Sequence, residues 1–224
     1  MEISDKQRAA EKAADYIKDG MVLGIGSGST VNFMLRKLAQ RMQEEGIRVK
    51  GIPASKKSEK LANELGIPLT TFAEYSRVDL AIDGADEIDE QLQLSKGGGG
   101  SLVREKMVDI IADYYIVIAS ADKLVKKLGA FPLPVEVVPF GWQVTEKRLQ
   151  ALGCQTTLRC QEGKPFVSDN GNYIVDCQFK TIDQPAKLHQ EIKSLLGVVE
   201  TGIFANMADE VIISENGNLQ SMKR

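Results

Sequence analysis

Met21-Val22-Leu23-Gly24-Ile25-Gly26-Ser27-Gly28-Ser29-Thr30 runs from an apolar stretch through a glycine-rich turn into a helix predicted over residues 29–45, where apolar side chains recur at helical spacing. Strand, glycine turn and helix in that order are half of a βαβ unit. On the N-terminal side, Ala9, Ala10, Ala13, Ala14 and Ile17 mark a helix over residues 4–18 that stops at Asp19-Gly20. On the other side the pattern predicts strands at 47–52, 78–82 and 115–119 and helices at 56–65 and 102–112. Such alternation predicts an α/β fold whose open, mostly parallel, Rossmann-like sheet carries helices on both faces.

After Pro132-Leu133-Pro134 the rhythm changes. Strand 135–138, helix 143–152, strand 155–159, a hairpin through Asp169-Asn170-Gly171-Asn172, strand 173–178, helix 185–196 and strand 198–204 spell βαββαβ, a smaller α+β ferredoxin-like domain. A last strand pair, 209–214 and 219–222, is placed to return to the first sheet. The expected division is therefore a Rossmann-like catalytic domain, 1–130 with 205–224, and a ferredoxin-like lid or oligomerisation domain, 131–204.

A 224-residue chain that is 43% apolar and 26% charged can bury a substantial core, and its net charge of -3 with mixed signs offers no basic face for nucleic acid. The opening Met1-Glu2-Ile3-Ser4-Asp5-Lys6 has no apolar leader, and no stretch is apolar enough to span a bilayer, so a cytoplasmic protein without a membrane partner is expected. Cys154, Cys160 and Cys177 lack the spacing of a disulfide framework or zinc site and are expected as reduced thiols.

The glycine turn is not a dinucleotide fingerprint, because Ser29 occupies the third glycine position and no acidic residue follows the second strand. No Gly-Lys-Ser/Thr makes it a P-loop either. Backbone N–H groups at a helix start, with the Ser27, Ser29 and Thr30 hydroxyls beside Gly28, suit a phosphate or a sugar hydroxyl. A plain tight turn with Ser29 as helix N-cap is the alternative.

Residues 78–106 concentrate ionisable groups and glycine: Asp83-Gly84-Ala85-Asp86-Glu87 follows a strand, Lys96 precedes Gly97, Gly98, Gly99 and Gly100, and Glu105 falls in the first turn of a helix between Arg104 and Lys106. The spacing of Asp83, Asp86 and Asp89 is not that of a calcium loop, so no metal is expected; Asx-turn bonding is the bland reading of these aspartates. A lysine beside exposed backbone N–H groups can stabilise an oxyanion, or form only a solvated loop. The sole histidine, His189, lies in a polar helix of the second domain, which leaves acid–base chemistry to carboxylates and lysine.

Together with Phe131-Pro132-Leu133-Pro134-Val135-Glu136-Val137, Gly197-Val198-Val199 and Gly202-Ile203-Phe204-Ala205-Asn206, these motifs resemble the ribose-5-phosphate isomerase family of the A type over nearly the whole chain. The resemblance implies cofactor-free, metal-independent interconversion of ribose 5-phosphate and ribulose 5-phosphate in the non-oxidative pentose phosphate pathway, by a homodimer or homotetramer. It implies Glu105 as general base through an enediolate, with Asp83 and Lys96 also catalytic. Ser27, Gly28, Ser29, Thr30, Gly84, Ala85, Asp86, Gly97, Gly98, Gly99 and Lys123 would bind substrate, and Lys6 stands where the family can place a phosphate-contacting lysine. Ser27 stands where threonine is frequent, and Ala54-Ser55-Lys56-Lys57 departs from the usual pattern, which leaves the role of Ser55 open. A sugar-phosphate sensor, a related deaminase/isomerase and an acyl-transferring enzyme are the rival readings of the same motifs.

Overall fold

The structure, a computed structural model, describes residues 3–224; Met1 and Glu2 of the opening segment lie outside the described residues. In chain order the elements are α1 (Asp5–Ala14), β1 (Val22–Ile25), α2 (Ser29–Glu45), β2 (Lys50–Pro53), α3 (Lys56–Glu64), β3 (Leu80–Asp83), β4 (Glu87–Ile88), β5 (Leu94–Ser95) and α4 (Leu102–Asp109). β6 (Tyr115–Ser120), a 3-10 turn at Ala121–Lys123, β7 (Leu133–Val137), α5 (Trp142–Gln150), β8 (Gln155–Leu158), β9 (Cys160–Gln161) and β10 (Lys164–Pro165) follow. The chain closes with β11 (Tyr173–Gln178), α6 (Pro185–Lys193), β12 (Val198–Thr201), β13 (Ile203–Phe204), β14 (Glu210–Glu215) and β15 (Asn218–Lys223). Two compact units result: one holds the chain through Ala85, Arg104–Lys123 and Met207–Arg224, the other Asp86–Val103 and Leu124–Asn206.

The first unit is built on a six-stranded sheet in the order β15-β14-β6-β3-β1-β2, parallel except for the antiparallel β15 edge. Alternation along the strands divides its residues between two faces. Leu23, Ile25, Leu80, Ile82, Ile116, Ile118 and Ile212 form one core with Ala9, Ala13, Val31, Leu35 and Leu38 of α1 and α2. Each fully buried aliphatic side chain there contributes roughly 1.5–3 kcal/mol. The opposite face carries Gly24, where a β-carbon would stand 2.7 Å from Val108 of α4 and 2.9 Å from Ala81, so small residues let that helix approach. Ser4 caps α1 by accepting from the Gln7 amide, and Gly46, in the left-handed region at φ 74°, ends α2.

In the second unit β12-β7-β11-β8 is an antiparallel sheet, the strand order of a βαββαβ ferredoxin-like domain, with Leu133, Val135, Val137, Leu149, Val175, Cys177 and Ile192 in its core. Residues 198–204 are not the single strand expected from their pattern. They divide at Gly202 into β12, on this sheet, and β13, which joins β5 and β4 in a separate three-stranded sheet. The reason is local: the Gly202 amide donates to Pro134 O (2.7 Å), its carbonyl accepts from the Lys96 amide (2.8 Å), and a β-carbon there would lie 2.2 Å from Lys96 O. The β8–β11 connection also holds an extra hairpin, β9–β10, turning through Glu162 and Gly163 at positive φ, before the expected turn, where the Ser168 amide donates to Asn172 O.

Candidate active site

From β1 the chain passes through α2 to β2 on one side, then through α3 to β3 on the other. The carboxyl ends of β1 and β3 therefore flank the point where strand order reverses, the usual ligand crevice of an open α/β sheet. Asp83 is the last residue of β3 and the glycine turn follows β1 directly. Pairing of Ile25 with Ile82 and donation of the Gly26 amide to Ile82 O (3.0 Å) bring the two together. Asp83 is fully buried, and its Oδ1 accepts from the amides of Ser27 (2.9 Å) and Gly84 (2.7 Å), as in the Asx-type bonding that the sequence left open.

The glycine turn itself is a helix entry without a side-chain cap. Gly28, at φ 109°, occupies the N-cap position and α2 starts at Ser29, so the alternative reading of a tight turn capped by Ser29 does not hold: no side-chain hydroxyl caps the helix. Gly28 and Ser29 are exposed, and Ser27 and Thr30 half-buried. Behind Ser27 lies a hydroxyl cluster that sequence spacing does not reveal. Ser55, the N-cap of α3, is 3.0 Å from Ser27 Oγ and 2.9 Å from Ser58 Oγ, and Ser58 reaches Gly26 O at 2.6 Å.

Glu105, 4% exposed, occupies the first turn of α4, and Asp109, equally buried, lies one turn further along the same face. Both, with Asp83, act on the phenol of the fully buried Tyr115. Burial pushes that phenol well above its ordinary range, and the carboxylates of Asp109, Asp83 and Glu105 push it further. Neither Tyr115, inside an unbroken apolar strand, nor Asp109 gave a functional signal in the sequence. Lys123 closes the 3-10 turn after β6, 3.8 Å from Asp122, and Lys6 is exposed on the first turn of α1.

In the second unit the glycine run is shaped around Asp86. The Gly98 amide donates to Asp86 Oδ2 at 2.7 Å, and a β-carbon on Gly98 would lie 2.6 Å from Oδ1. Arg159 donates to the carbonyls of Gly97 (2.9 Å) and Gly98 (3.1 Å) while paired with Asp176, and so holds the run from β8's far end. Its distance in sequence hid that role. Lys96 is buried with its ammonium 5.2 Å from the Phe204 ring centroid. Glu87 accepts from the amides of Gly129 and Phe131, both at 2.7 Å, and Asp89 from those of Gln91 and Gln93, so these two acids close turns. His189 is engaged with Thr201 at 2.8 Å.

A parallel sheet with a hydroxyl-bearing glycine turn and the buried Asp83 carboxylate at its switch point has the architecture of an α/β enzyme site. The family model of ribose 5-phosphate isomerase A (phosphoriboisomerase A) matches residues 50–218. Ribose-5-phosphate isomerase A 2 of Oceanobacillus iheyensis is 65% identical over 224 residues, the whole of both chains. Among solved structures, ribose 5-phosphate isomerase A of Methanocaldococcus jannaschii is 41% identical, with a TM-score of 0.93 over 98% of each chain. A D-ribose-5-phosphate isomerase in complex with phospho-erythronic acid is 34% identical, with a TM-score of 0.96 over 100% of each chain. The chain belongs to the ribose 5-phosphate isomerase A family and is an isomerase. Among the described residues no helix is long and apolar enough to cross a membrane.

Proposed function

We propose that this isomerase interconverts ribose 5-phosphate and ribulose 5-phosphate through an enediolate, with Glu105 as the general base. The supporting observation is a glutamate held almost wholly buried in the first turn of α4, in the same unit as the carboxylate at the β1/β3 switch point. Moving a proton between C2 and C1 needs one base that gives back what it takes, and a carboxylate does both. Glu105 removes the C2 proton and electron density passes through C1–C2 to O1; Glu105, whose proton exchanges with solvent in part, then protonates C1 as the C2 carbonyl forms and the O2 proton passes to O1.

Lys96 is the proposed donor to the developing oxyanion, where one well-placed donor is worth on the order of 3 kcal/mol. The Gly98 amide is already spent on Asp86 and that of Gly100 on Gly97 O, which leaves the amides of Gly97 and Gly99 to assist. Asp83, oriented by two amides, takes part in proton transfer as the furanose ring opens, and Asp86 orients hydroxyls. Ser27 to Thr30, Gly84, Ala85 and Lys123 complete the substrate site, with Lys6 at its margin. The solved relative's ligand is a four-carbon sugar-acid phosphate, whose flat carboxylate is a fair mimic of an enediolate, and this supports the substrate class.

The second unit is assigned to self-association, on the evidence of Phe140, Val144 and Leu196, which are 95%, 58% and 80% exposed. Formation of ribulose 5-phosphate from ribose 5-phosphate, with glucosamine 6-phosphate as control substrate, tests the reaction. Turnover of the amino sugar alone would replace this reading with a deaminase.

A further inference from the structure

The hydroxyl cluster behind the glycine turn has a direction. Ser58 Oγ lies 2.6 Å from the Gly26 carbonyl oxygen, which can only accept, so the single Ser58 proton is committed there. In the 2.9 Å contact between Ser58 and Ser55 the proton must then come from Ser55. With that proton spent, the 3.0 Å bond between Ser55 and Ser27 takes its proton from Ser27. Ser55 Oγ also accepts from the Ser58 amide at 3.0 Å, which fills its second lone pair. Ser55 and Ser58 are each 1% exposed, so no solvent exchange relaxes the order. The chain therefore runs Ser27 to Ser55 to Ser58 to the Gly26 carbonyl.

We infer that Ser27 faces substrate as a hydrogen-bond acceptor and selects a sugar hydroxyl over a phosphate oxygen, with Ser55 and Ser58 as positioning residues that set this polarity. The inference rests on the isomerase reading above. The phosphate monoester of the sugar, as its dianion, brings only lone pairs, and against Ser27 Oγ it would meet lone pairs. A sugar hydroxyl brings the missing proton. The chain also gives Ser55 a role: it is the middle link that passes the polarity of a backbone carbonyl to the turn.

The test, at about pH 8, compares KM for ribose 5-phosphate with the inhibition constant of methyl phosphate, whose dianion carries no P–OH, in the full-length protein and in Ser27→Ala, Ser58→Ala and Ser58→Thr. Ser27→Ala is expected to raise KM about tenfold, the effect of one lost hydrogen bond, and to leave the methyl phosphate constant within about twofold. Ser58→Ala frees the Ser55 proton to turn toward Ser27, and is expected to raise KM roughly fivefold, again without change for methyl phosphate. Ser58→Thr keeps the hydroxyl and restores KM. A methyl phosphate constant that rises in step with KM in Ser27→Ala, or an unchanged KM in a folded Ser58→Ala, overturns the inference. Ser27→Ala removes only a half-buried hydroxyl, so the test survives if Ser58→Ala does not fold. Wild-type turnover is the separate control: without it the isomerase reading falls, and the polarity is judged by methyl phosphate binding alone, which Ser27→Ala must then leave unchanged.

Discussion

The Asp83 carboxylate occupies the space where a β-carbon of Gly26 would lie: its Cγ is 2.2 Å and its Oδ1 2.3 Å from that point. The glycine is required by the acid beside it. Gly26→Ala must push Asp83 off its two amide donors, and overpacking of this kind costs about 1–3 kcal/mol. The expected outcome is a lower Tm together with loss of most turnover, measured by thermal unfolding and ribose 5-phosphate assay. Wild-type turnover in this variant would mean that the position of Asp83 is immaterial.

Arg159 is expected to matter as a clamp on the Gly97 and Gly98 carbonyls. Arg159→Lys keeps the charge but loses the planar fork that serves Asp176 and two carbonyls at once. Loss of these charge-assisted bonds costs about 1.5–3 kcal/mol. Both Arg159→Lys and Arg159→Ala should therefore lower kcat/KM about tenfold or more. Equal activity of wild type and Arg159→Ala would remove the clamp from the account.

Stability should fall at both pH extremes through Glu210. Burial alone would raise this carboxyl's pKa, yet hydrogen bonds from Ser221, Tyr16 and Tyr114, with Lys223 nearby, hold it below its ordinary value of 4.5. A depressed folded-state pKa gives stability that is complete above the unfolded value and lost as pH falls through the folded one. The Tyr114 phenol is pushed up to about 12 by burial and by its bond to Glu210, from 10.0. That contribution is complete below pH 10 and lost as pH rises toward about 12. Glu210→Gln should flatten both limbs of a Tm-against-pH profile, and unchanged limbs would place the titrating groups elsewhere.

The exposed side chains of Phe140, Val144 and Leu196 predict self-association through the second unit. Phe140→Glu combined with Leu196→Glu should reduce the mass measured by light scattering toward that of a single 24.6 kDa chain while leaving the Tm nearly unchanged. An unaltered mass would put the interface elsewhere.

Elements with a strong period were legible in the sequence. α2 covers residues 29–45 as its apolar spacing predicts, and β11 covers residues 173–178. Weak or divided signals were not. β4 and β5 are two residues each, too short for a period; β5 is defined by pairing with β13, more than 100 residues away in the chain, and β4 by pairing with β5. Gly202 looks like an ordinary strand glycine until the Lys96 carbonyl is found beside it. The same holds for the site. Asp83 stood out because a charge at a strand end is visible in one dimension, whereas Ser58, Tyr115, Asp109 and Arg159 act through contacts that only folding creates.

Glu105→Gln tests the role of Glu105 most directly, because the amide keeps the shape of the side chain and removes the base. Turnover of ribose 5-phosphate, read with uptake of solvent deuterium at C1 of ribulose 5-phosphate, should fall by about 10²–10⁴ in kcat, while KM changes little. Turnover and deuterium uptake near wild type in a folded Glu105→Gln would contradict the account.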